Sequence, residues 1–372
     1  MDRKELSIWV EKYRRGDISR RNFLKVTGIG ATMAALGLRS APALAQELSG
    51  TVTLATWPNY QNQANIDAFT ANTGVNVNMA IFGSNEEMMA KMQAGDSGFD
   101  IVVPSNYAIS PYAKAKFIEP LDLSLLPNYD PSVVDPRFVE QATIDGNTYA
   151  VHKNWGTSGF VVNTDTVKTP FTSWKDYFDG IRGEYSGYGI ALDHPLDTVG
   201  FALKYFGYSF NSIEDSKLKQ AEELLLDLKP HLFAISSDFQ PMIRSGDASI
   251  AMCWSFDAKQ LSRDMSTIQY VIASEGGEIW SDFYTIINGG QNRPAAYALV
   301  NHMLEPTVNA KEFDVHGSAI SDSRVLALLP PEVTTDPILY PAKELLTPLE
   351  FGTAEAMTNP HRTEIMARFK AA

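Results

Sequence analysis

The sequence has one cysteine in 372 residues, so no intrachain disulfide can form. Cys253 lies in the apolar run "SIAMCW", which predicts a buried, unreactive thiol rather than a nucleophile or a metal ligand. The six histidines are scattered and lack the spacing of metal ligands. Motifs for phosphate binding, zinc proteolysis and serine hydrolysis are also missing. The sequence therefore predicts neither an enzyme nor a bound metal or cofactor.

Positive charge is scarce outside the N-terminus. The first 45 residues carry nine Lys and Arg against four Asp and Glu, so removing them changes the net charge from −13 to −18. A strongly acidic body argues against a nucleic-acid partner. It fits a cationic partner, because the summed field of the protein attracts cations, although solubility alone would also explain the charge.

No hydrophobic run reaches the roughly 20 residues that cross a membrane. The uncharged run at 26–38 follows "SRRNFLK", with Arg20 and Arg21 adjacent, and precedes the small-x-small sequence "ALA" at 43–45. This pattern resembles a twin-arginine signal peptide and implies a mature start near Gln46. It predicts export of the folded protein by the twin-arginine translocase to the bacterial periplasm. A basic amphipathic helix or an uncleaved anchor is the alternative.

Strand and helix patterns alternate from the mature start. "TVTLATW", "VNVNMAIF" and "DIVVP" are typical of strands, the last one buried and parallel. "NIDAFTANTG" predicts a helix ending at Gly74. A second helix is expected between Ser84 and Gly95, with Ser84 and Glu87 forming a capping box. This βαβαβ order predicts an α/β domain with a doubly wound sheet.

A second set of elements follows without a linker. "YAVHKNW", "GFVVN", "YGIAL", "ASIAMCW", "QYVIA" and "YTIING" predict separate strands. "LDTVGFALKYFG", "SKLKQAEELLLDLKPHL" and "PAAYALVNHML" predict helices. Two α/β lobes joined by strand crossovers would enclose a cleft, and ligands of such sheets bind beyond the carboxyl ends of the strands.

Aromatic and acidic residues recur at those strand ends. In "WSDFY", Trp280 and Asp282 share one face of a strand, because side chains alternate along it. A structural ion pair and a core indole would also explain this pair. Related residues follow other strands; they are Trp57, Ser105, Tyr107, Asp193, Asp197, Trp254 and Asp257. A cation with an apolar body suits such a surface, because rings attract cations and carboxylates form charge-assisted hydrogen bonds.

The mature chain resembles the periplasmic polyamine-binding proteins of ABC transporters, which are spermidine and putrescine receptors. The resemblance rests on "TWPNY", "GSNEEMMAKMQAG", "FDIVVPS", "NWGTSGFVVN", "ALDHPLDTVGFALKYFGYS", "CWSFDA", "EGGEIWSDFYTI" and "PPEVTTDPILYP". It implies a two-lobe, type II-like periplasmic binding protein with a hinged cleft. We expect a signal peptide at 1–45, lobe 1 at 46–156 and 281–345, and lobe 2 at 157–280 and 346–372.

The resemblance also implies a set of ligand-binding residues. They are Trp57, Asn59, Tyr60, Ser105, Tyr107, His194, Asp197, Trp254, Asp257, Trp280 and Asp282. The match is uneven at several positions. Asn59 stands where a carboxylate is common, His194 where spermidine receptors have an aspartate, and Asp197 where the family has Glu. Ser318 and Gly352 replace a tyrosine and a polar side chain, so the general function is implied more firmly than the identity of the ligand.

Alternatives remain at individual residues. Asp257 is also a candidate N-cap of the helix "AKQLSRDM". Asp193 fits a turn before Pro195, and His194 is expected to be exposed at a strand end, where it would cap a helix or accept a hydrogen bond from a ligand. Asp193 and Asp197 together would suit a periplasmic glycosidase-type hydrolase. A receptor for another amine-bearing molecule is the alternative among binding proteins. The ferric-binding class needs an adjacent tyrosine pair, which the sequence lacks.

The expected partners are accordingly a small cationic polyamine and the permease subunits of an inner-membrane ABC transporter.

Overall fold

The computed structural model describes residues 48–95 and 97–372. The predicted signal peptide therefore lies outside the described residues. The strands are β1 (Thr51–Thr56), β2 (Asn76–Ile81), β3 (Ile101–Val102), β4 (Thr143–Ile144), β5 (Asn147–Thr148), β6 (Val151–Asn163), β7 (Gly189–Ala191), β8 (Leu232–Ile235), β9 (Ile250–Trp254), β10 (Ile268–Val271), β11 (Gly277–Ile286) and β12 (Leu349–Glu350).

The helices alternate with these strands. They are α1 (Gln63–Thr73), α2 (Asn85–Gln93), α3 (Asn106–Lys114), α4 (Pro136–Gln141), α5 (Trp174–Arg182), α6 (Pro195–Tyr205), α7 (Asp215–Leu228), α8 (Gln240–Ser245), α9 (Ser255–Asp264), α10 (Arg293–Met303), α11 (Pro306–His316), α12 (Ser323–Leu326), α13 (Pro331–Thr334), α14 (Lys343–Leu346), α15 (Ala354–Met357) and α16 (Pro360–Ala371). Short 3₁₀ turns occur at Leu123–Leu125, Pro131–Val133 and Lys229–His231. No helix of the described ranges is long and apolar enough to cross a membrane.

The main sheet has the strand order β2-β1-β3-β11-β6-β9-β7-β8, with β10 paired to β6 and β12 to β11. The strands β1, β2 and β3 are parallel to one another, as are β7, β8 and β9. Between these two parallel groups run β11 and β6, which are antiparallel to each other and to their outer neighbours. Two parallel α/β units are thus joined through two long antiparallel strands, which is the sheet arrangement of a two-lobe binding protein.

The two joining strands are buried along their whole length. The sequence predicted two strands, "YAVHKNW" and "GFVVN", and this was wrong because the structure has the single strand β6. Gly156 instead makes room for a neighbour, since a Cβ there would lie 2.3 Å from the ring of Trp280. Glycine within a strand often marks such a close approach.

The helix ends follow the local sequence signals. Gly74 ends α1 in the left-handed conformation, with φ of 76°. Ser84 Oγ accepts a 3.0 Å hydrogen bond from the backbone N of Glu87, as predicted for the start of α2. The Glu87 carboxylate, however, accepts from the backbone N of Gly83 at 2.7 Å, one residue before the expected partner. The predicted helix around α7 was too long, because Pro230 follows its end and Leu232–Ile235 forms β8.

Two apolar clusters make up the core. The smaller one joins β1, α1 and α10 through residues such as Leu54, Phe69 and Leu299. The larger one contains the helices around β7 and β9, and Cys253 is fully buried within it, as predicted. The exact boundaries of the two lobes, 46–156 with 281–345 and 157–280 with 346–372, stay a prediction.

Candidate ligand-binding site

Asp282 lies at the centre of a buried hydrogen-bonded cluster. Its strand β11 reaches Ser105, with which it forms an isolated bridge, and Ser105 Oγ donates a 2.7 Å hydrogen bond to Oδ1. The hydroxyl of Tyr60 donates to Oδ2. That hydroxyl also lies 2.7 Å from Oδ1 of Asn154 on β6. We call Tyr60, Ser105, Asn154 and Asp282 the Asp282 cluster; it brings together three of the predicted site residues from distant parts of the chain.

The Asp282 carboxylate retains the capacity to bind a cation. Burial raises its pKa to about 6, against the opposing effect of the hydrogen bonds from Tyr60 and Ser105. The nearby ammonium of Lys153 is engaged elsewhere, 3.4 Å from Oε2 of Glu312 in a fully buried ion pair. Because each carboxylate oxygen can accept two hydrogen bonds, one acceptor position on each oxygen of Asp282 is left for a ligand donor.

Asp197 forms a second buried cluster at the start of α6. Trp254 Nε1 donates a 2.9 Å hydrogen bond to its Oδ2, and His194 Nδ1 lies 3.1 Å from the same oxygen. Burial alone raises the pKa of Asp197, but the charge of His194 and its hydrogen-bond partners outweigh burial and hold the pKa below its ordinary value. Its Oδ1 has no hydrogen-bond partner among the described residues.

Glu278 completes this second cluster and was missed from the sequence. Its Oε2 accepts a 3.0 Å hydrogen bond from Ser158 Oγ, and its carboxyl group lies close to that of Asp197. Burial, followed by the charge of Asp197, raises the pKa of Glu278 well above its ordinary range. A proton held between the two carboxyl groups is therefore bound more tightly by Glu278 than by Asp197. We call Ser158, His194, Asp197, Trp254 and Glu278 the Asp197 cluster.

Trp280 lies between the two clusters on β11. Its side chain is 6% exposed and packs edge-to-face on Phe256, with ring centroids 6.2 Å apart. Phe256 in turn stacks on Trp254 at 6.0 Å with nearly parallel rings. The pairing register of β11 shifts only after Asp282, so the alternation predicted from "WSDFY" places Trp280 and Asp282 on one face. The rings of Trp254, Phe256 and Trp280 thus form an apolar wall beside the Asp282 cluster and the Asp197 cluster.

Two further predicted aromatics come from the elements after β1 and β3. The Tyr107 hydroxyl accepts a 2.9 Å hydrogen bond from Asn85 Nδ2, and Asn85 Oδ1 accepts from the backbone N of Ser105. Trp57 is half-buried against Phe82, with ring centroids 4.5 Å apart. Asn85 therefore positions two predicted site residues at once, although nothing in its sequence position indicated this role.

Asn59 and Asp257 are not brought into either cluster. Asn59 is exposed and has a left-handed backbone with φ of 52°. Asp257 is buried and accepts a 2.5 Å hydrogen bond from Gln240 Nε2. Burial raises the pKa of Asp257 to about 7. The N-cap prediction for Asp257 was wrong, because α9 begins at Ser255 with Trp254 in the cap position, which places Asp257 within the first helical turn.

His194 and Asp193 also differ from expectation. His194 is 7% exposed rather than surface-exposed, because Asp197 and the edge-on ring of Trp254 cover it. His194 occupies the predicted cap position before α6, with Nδ1 3.3 Å from the backbone N of Asp197. Nδ1 accepts from that N–H only when the imidazole is neutral; the charged imidazole donates to Asp197 Oδ2 instead. Asp193 forms a 2.6 Å ion pair with Lys370. The two carboxylates proposed for a hydrolase are therefore engaged by different partners.

Three buried polar residues near the site were not predicted from the sequence. Glu278 lies four residues before Asp282, so the alternation that linked Trp280 to Asp282 also covers it. Lys153 and Asn154 lie in a run that reads as a buried strand, and only the fold shows what they face. In the part of the chain that the structure describes, no three His, Cys, Asp or Glu side chains are grouped to hold a metal ion.

Comparison with known proteins identifies the family. The model for bacterial extracellular solute-binding proteins matches residues 64–341, about three quarters of the chain. The chain belongs to this family. A spermidine/putrescine-binding periplasmic protein of Haemophilus influenzae is 31% identical over 80% of this chain and 82% of its own length. A putrescine-binding periplasmic protein of Pseudomonas aeruginosa is 30% identical over 92% of this chain and 98% of its own length.

A solved structure agrees with these relatives. A Listeria monocytogenes protein described as a spermidine/putrescine ABC transporter superposes with a TM-score of 0.80 at 30% identity, over 86% of this chain and 98% of that one. The resemblance inferred from the sequence, the two-lobe fold and the periplasmic location are confirmed. The family consists of solute-binding proteins rather than enzymes. The ligand-contact role of the individual residues stays a prediction.

Proposed function

We propose that the protein captures a polyamine, such as putrescine or spermidine, in the periplasm and delivers it to the permease subunits of an inner-membrane ABC importer. The observation that carries this proposal is the pair of buried acidic clusters at either end of Trp280. Each end offers carboxylate oxygens that can accept further hydrogen bonds. An organic cation with ammonium groups at both ends and an apolar middle matches this arrangement.

We further propose that a diamine binds more tightly than a triamine. Asn59 is exposed and supplies no carboxylate. The acidic groups proposed to contact the ligand are therefore concentrated in the Asp282 cluster and the Asp197 cluster. Two clusters can neutralise two ammonium groups, whereas a third ammonium would be desolvated without a matching charge. A receptor for another amine-bearing molecule is the remaining alternative.

Isothermal titration calorimetry with putrescine, spermidine, spermine, agmatine and a set of amino acids tests this function. We expect putrescine to bind most tightly and acidic amino acids not to bind. Tighter binding of spermidine than of putrescine would contradict the diamine preference alone. Submicromolar binding of an acidic amino acid would contradict the proposed cation site altogether.

We also propose that the chain reaches the periplasm by the twin-arginine translocase. The support for this route is the sequence "SRRNFLK" with its adjacent arginines, the uncharged run that follows and the cleavage sequence at 43–45.

A further inference from the structure

Glu278 is a buried acid that the site residues inferred from the resemblance do not include. It is 2% exposed and lies on β11 two residues before Trp280 and four before Asp282. Alternation along the strand places the three side chains on one face. Glu278 and Asp282 are then about 13 Å apart along the strand, at about 3.3 Å per residue. Trp280 lies between these two residues along the strand.

The carboxyl group of Glu278 is only partly satisfied. Ser158 Oγ donates to Oε2, but Oε1 is buried and has no hydrogen-bond partner within the described ranges. Asp197 is also fully buried, and its Oδ1 likewise has no hydrogen-bond partner within those ranges. Buried acceptors without a donor are costly. A proton held between Glu278 and Asp197 would serve this pair in the free protein, and a ligand ammonium group that displaces it would supply N–H donors to both carboxylates.

Gly352 explains why Glu278 fits at this place. A Cβ on Gly352 would lie 2.9 Å from Glu278 Oε1 and 2.9 Å from the ring of Tyr107. The Gly352 carbonyl accepts a 3.0 Å hydrogen bond from Asn106 Nδ2, which fixes this segment against α3. By the resemblance described above, Gly352 stands where related proteins have a polar side chain. The Glu278 carboxyl group lies where such a side chain would begin, and its charge acts on Tyr107.

Acidic and basic groups both surround this end of the site. Asp197 and His194 approach from α6, and Asp282 acts from the same strand as Glu278. The nearest cation from α16 is Arg362, which is buried and donates a hydrogen bond to the carbonyl of Phe210. Its Nε and Nη1 have no partner among residues 48–95 and 97–372, so it is not hydrogen-bonded to Glu278. Glu86 and Glu350 add further negative charge around His194 and Arg362 respectively.

We propose that Glu278 and Asp197 together bind one ammonium group of the ligand, at the end of the site opposite Asp282. This inference rests on the proposed function and specifies its second anchor. In the free protein the two carboxyl groups share one proton. When the ammonium binds, the O–H bond of Glu278 breaks and its proton leaves to the solvent. Both carboxylates then accept N–H hydrogen bonds, so this end of the site releases up to one proton when a diamine binds.

The test is calorimetry of wild type, Glu278→Gln and the exposed control Glu344→Gln with putrescine and with 1-aminobutane. We expect Glu278→Gln to weaken putrescine binding 10- to 100-fold and to change 1-aminobutane binding much less, because a monoamine can still use the Asp282 end. Titration near pH 6 in buffers of different ionisation enthalpy should show more proton release for wild type than for Glu278→Gln, in which only the release from Asp282 remains. Glu344→Gln should behave as wild type.

A second variant tests the same idea with Glu278 present. Gly352→Ala would place a methyl group 2.9 Å from Glu278 Oε1 and displace the carboxyl group, so it should weaken putrescine binding in the same selective way. If wild type binds putrescine, and both variants bind it equally tightly with equal proton release, this inference is overturned and the proposed function stands. If wild type binds no polyamine, the proposed function is wrong, and this inference, which rests on it, is wrong as well.

Discussion

The indole Nε1 of Trp254 and Oδ2 of Asp197 are joined by a 2.9 Å hydrogen bond between the end of β9 and the first turn of α6. The bond joins an aromatic wall residue to an acid of the Asp197 cluster, so the ring and the charge are positioned together. His194 contacts the same oxygen and lies edge-on to the same ring, with centroids 5.7 Å apart. Asp197 is thereby kept ionised in a fully buried place.

Replacing Trp254 with Phe should separate these two effects. The substitution keeps an aromatic ring but removes the donor to Asp197. Because a hydrogen bond to a charged group contributes about 1.5–3 kcal/mol, we expect putrescine affinity to fall about 10- to 100-fold, as measured by calorimetry. Phe256→Leu is the control, since it alters the stacked ring beside Trp254 without removing a donor to Asp197. An equal loss in both variants would show that ring packing alone matters.

Replacing Asp282 with Asn should abolish measurable polyamine binding. The carboxylate is buried and meets Tyr60 and Ser105, so losing its charge while the ligand cation stays buried should cost about 2–5 kcal/mol, or about 30-fold to several thousand-fold in affinity. The thermal midpoint of the unliganded variant should be unchanged or higher. Asp197→Asn provides the comparison at the other end of the site. Strong destabilisation with intact affinity would instead identify Asp282 as a structural residue.

The stability of the unliganded protein should fall as the pH rises from about 4 to about 7. Burial raises the pKa of Asp282 from 3.8 to about 6 and that of Asp257 from 3.8 to about 7. The folded state therefore holds these protons more tightly than the unfolded chain does, and that advantage is lost as each group ionises. Thermal melts at pH 5 and pH 8 measure the effect. Asp257→Asn should reduce the difference between the two midpoints, whereas Asp165→Asn at the surface should leave it unchanged.

Ligand affinity should change with pH in the opposite direction. An ammonium ligand needs ionised carboxylates, so putrescine should bind more tightly at pH 7.5 than at pH 5. If Asp257 anchors an ammonium group, Asp257→Asn will weaken binding and flatten the part of this profile near pH 7. The structure pairs Asp257 with Gln240 instead of either cluster. An unchanged affinity and profile in Asp257→Asn would remove it from the site.

The two lobes are expected to close on the ligand. The proposed contacts come from both parallel strand groups, with Tyr60 and Ser105 near β1 and β3 and Trp254 at the end of β9. Closure would bury the cation and exclude water from its hydrogen bonds. Small-angle X-ray scattering should show a smaller radius of gyration with saturating putrescine than without it. No change at saturation would indicate a rigid site.

Export should depend on the two adjacent arginines. Replacing Arg20 and Arg21 with Lys removes the motif that the twin-arginine translocase reads, so precursor should accumulate in the cytoplasm. Fractionation followed by immunoblotting measures the periplasmic yield. Lys12→Arg with Lys25 retained serves as a charge-neutral control in the same N-terminal segment. Unchanged periplasmic yield in the double variant would contradict this route.

Local sequence signals determined much of the fold, because they depend on neighbouring residues alone. Such signals predicted the left-handed glycine after α1, the Ser84 cap of α2 and the short buried strand β3. Period-two alternation also determined that Trp280 and Asp282 share a face. The length of β6 was not readable, because Gly156 is explained only by the ring of Trp280, more than 120 residues away in the sequence.

The tertiary structure alone decided which acids stand together. Asp197, Asp257 and Asp282 looked equivalent at strand ends, yet folding gave Asp282 two hydroxyl donors, Asp257 an amide donor, and Asp197 a second carboxyl group. The alternation of side chains along β11 placed Glu278 on the same face as Asp282. Its proposed role in ligand binding, however, depends on Asp197 and Gly352, which come from other segments. Ionisation and hydrogen-bonding capacity depend on burial and on partners brought together through space, so periodicity along the chain could not determine them.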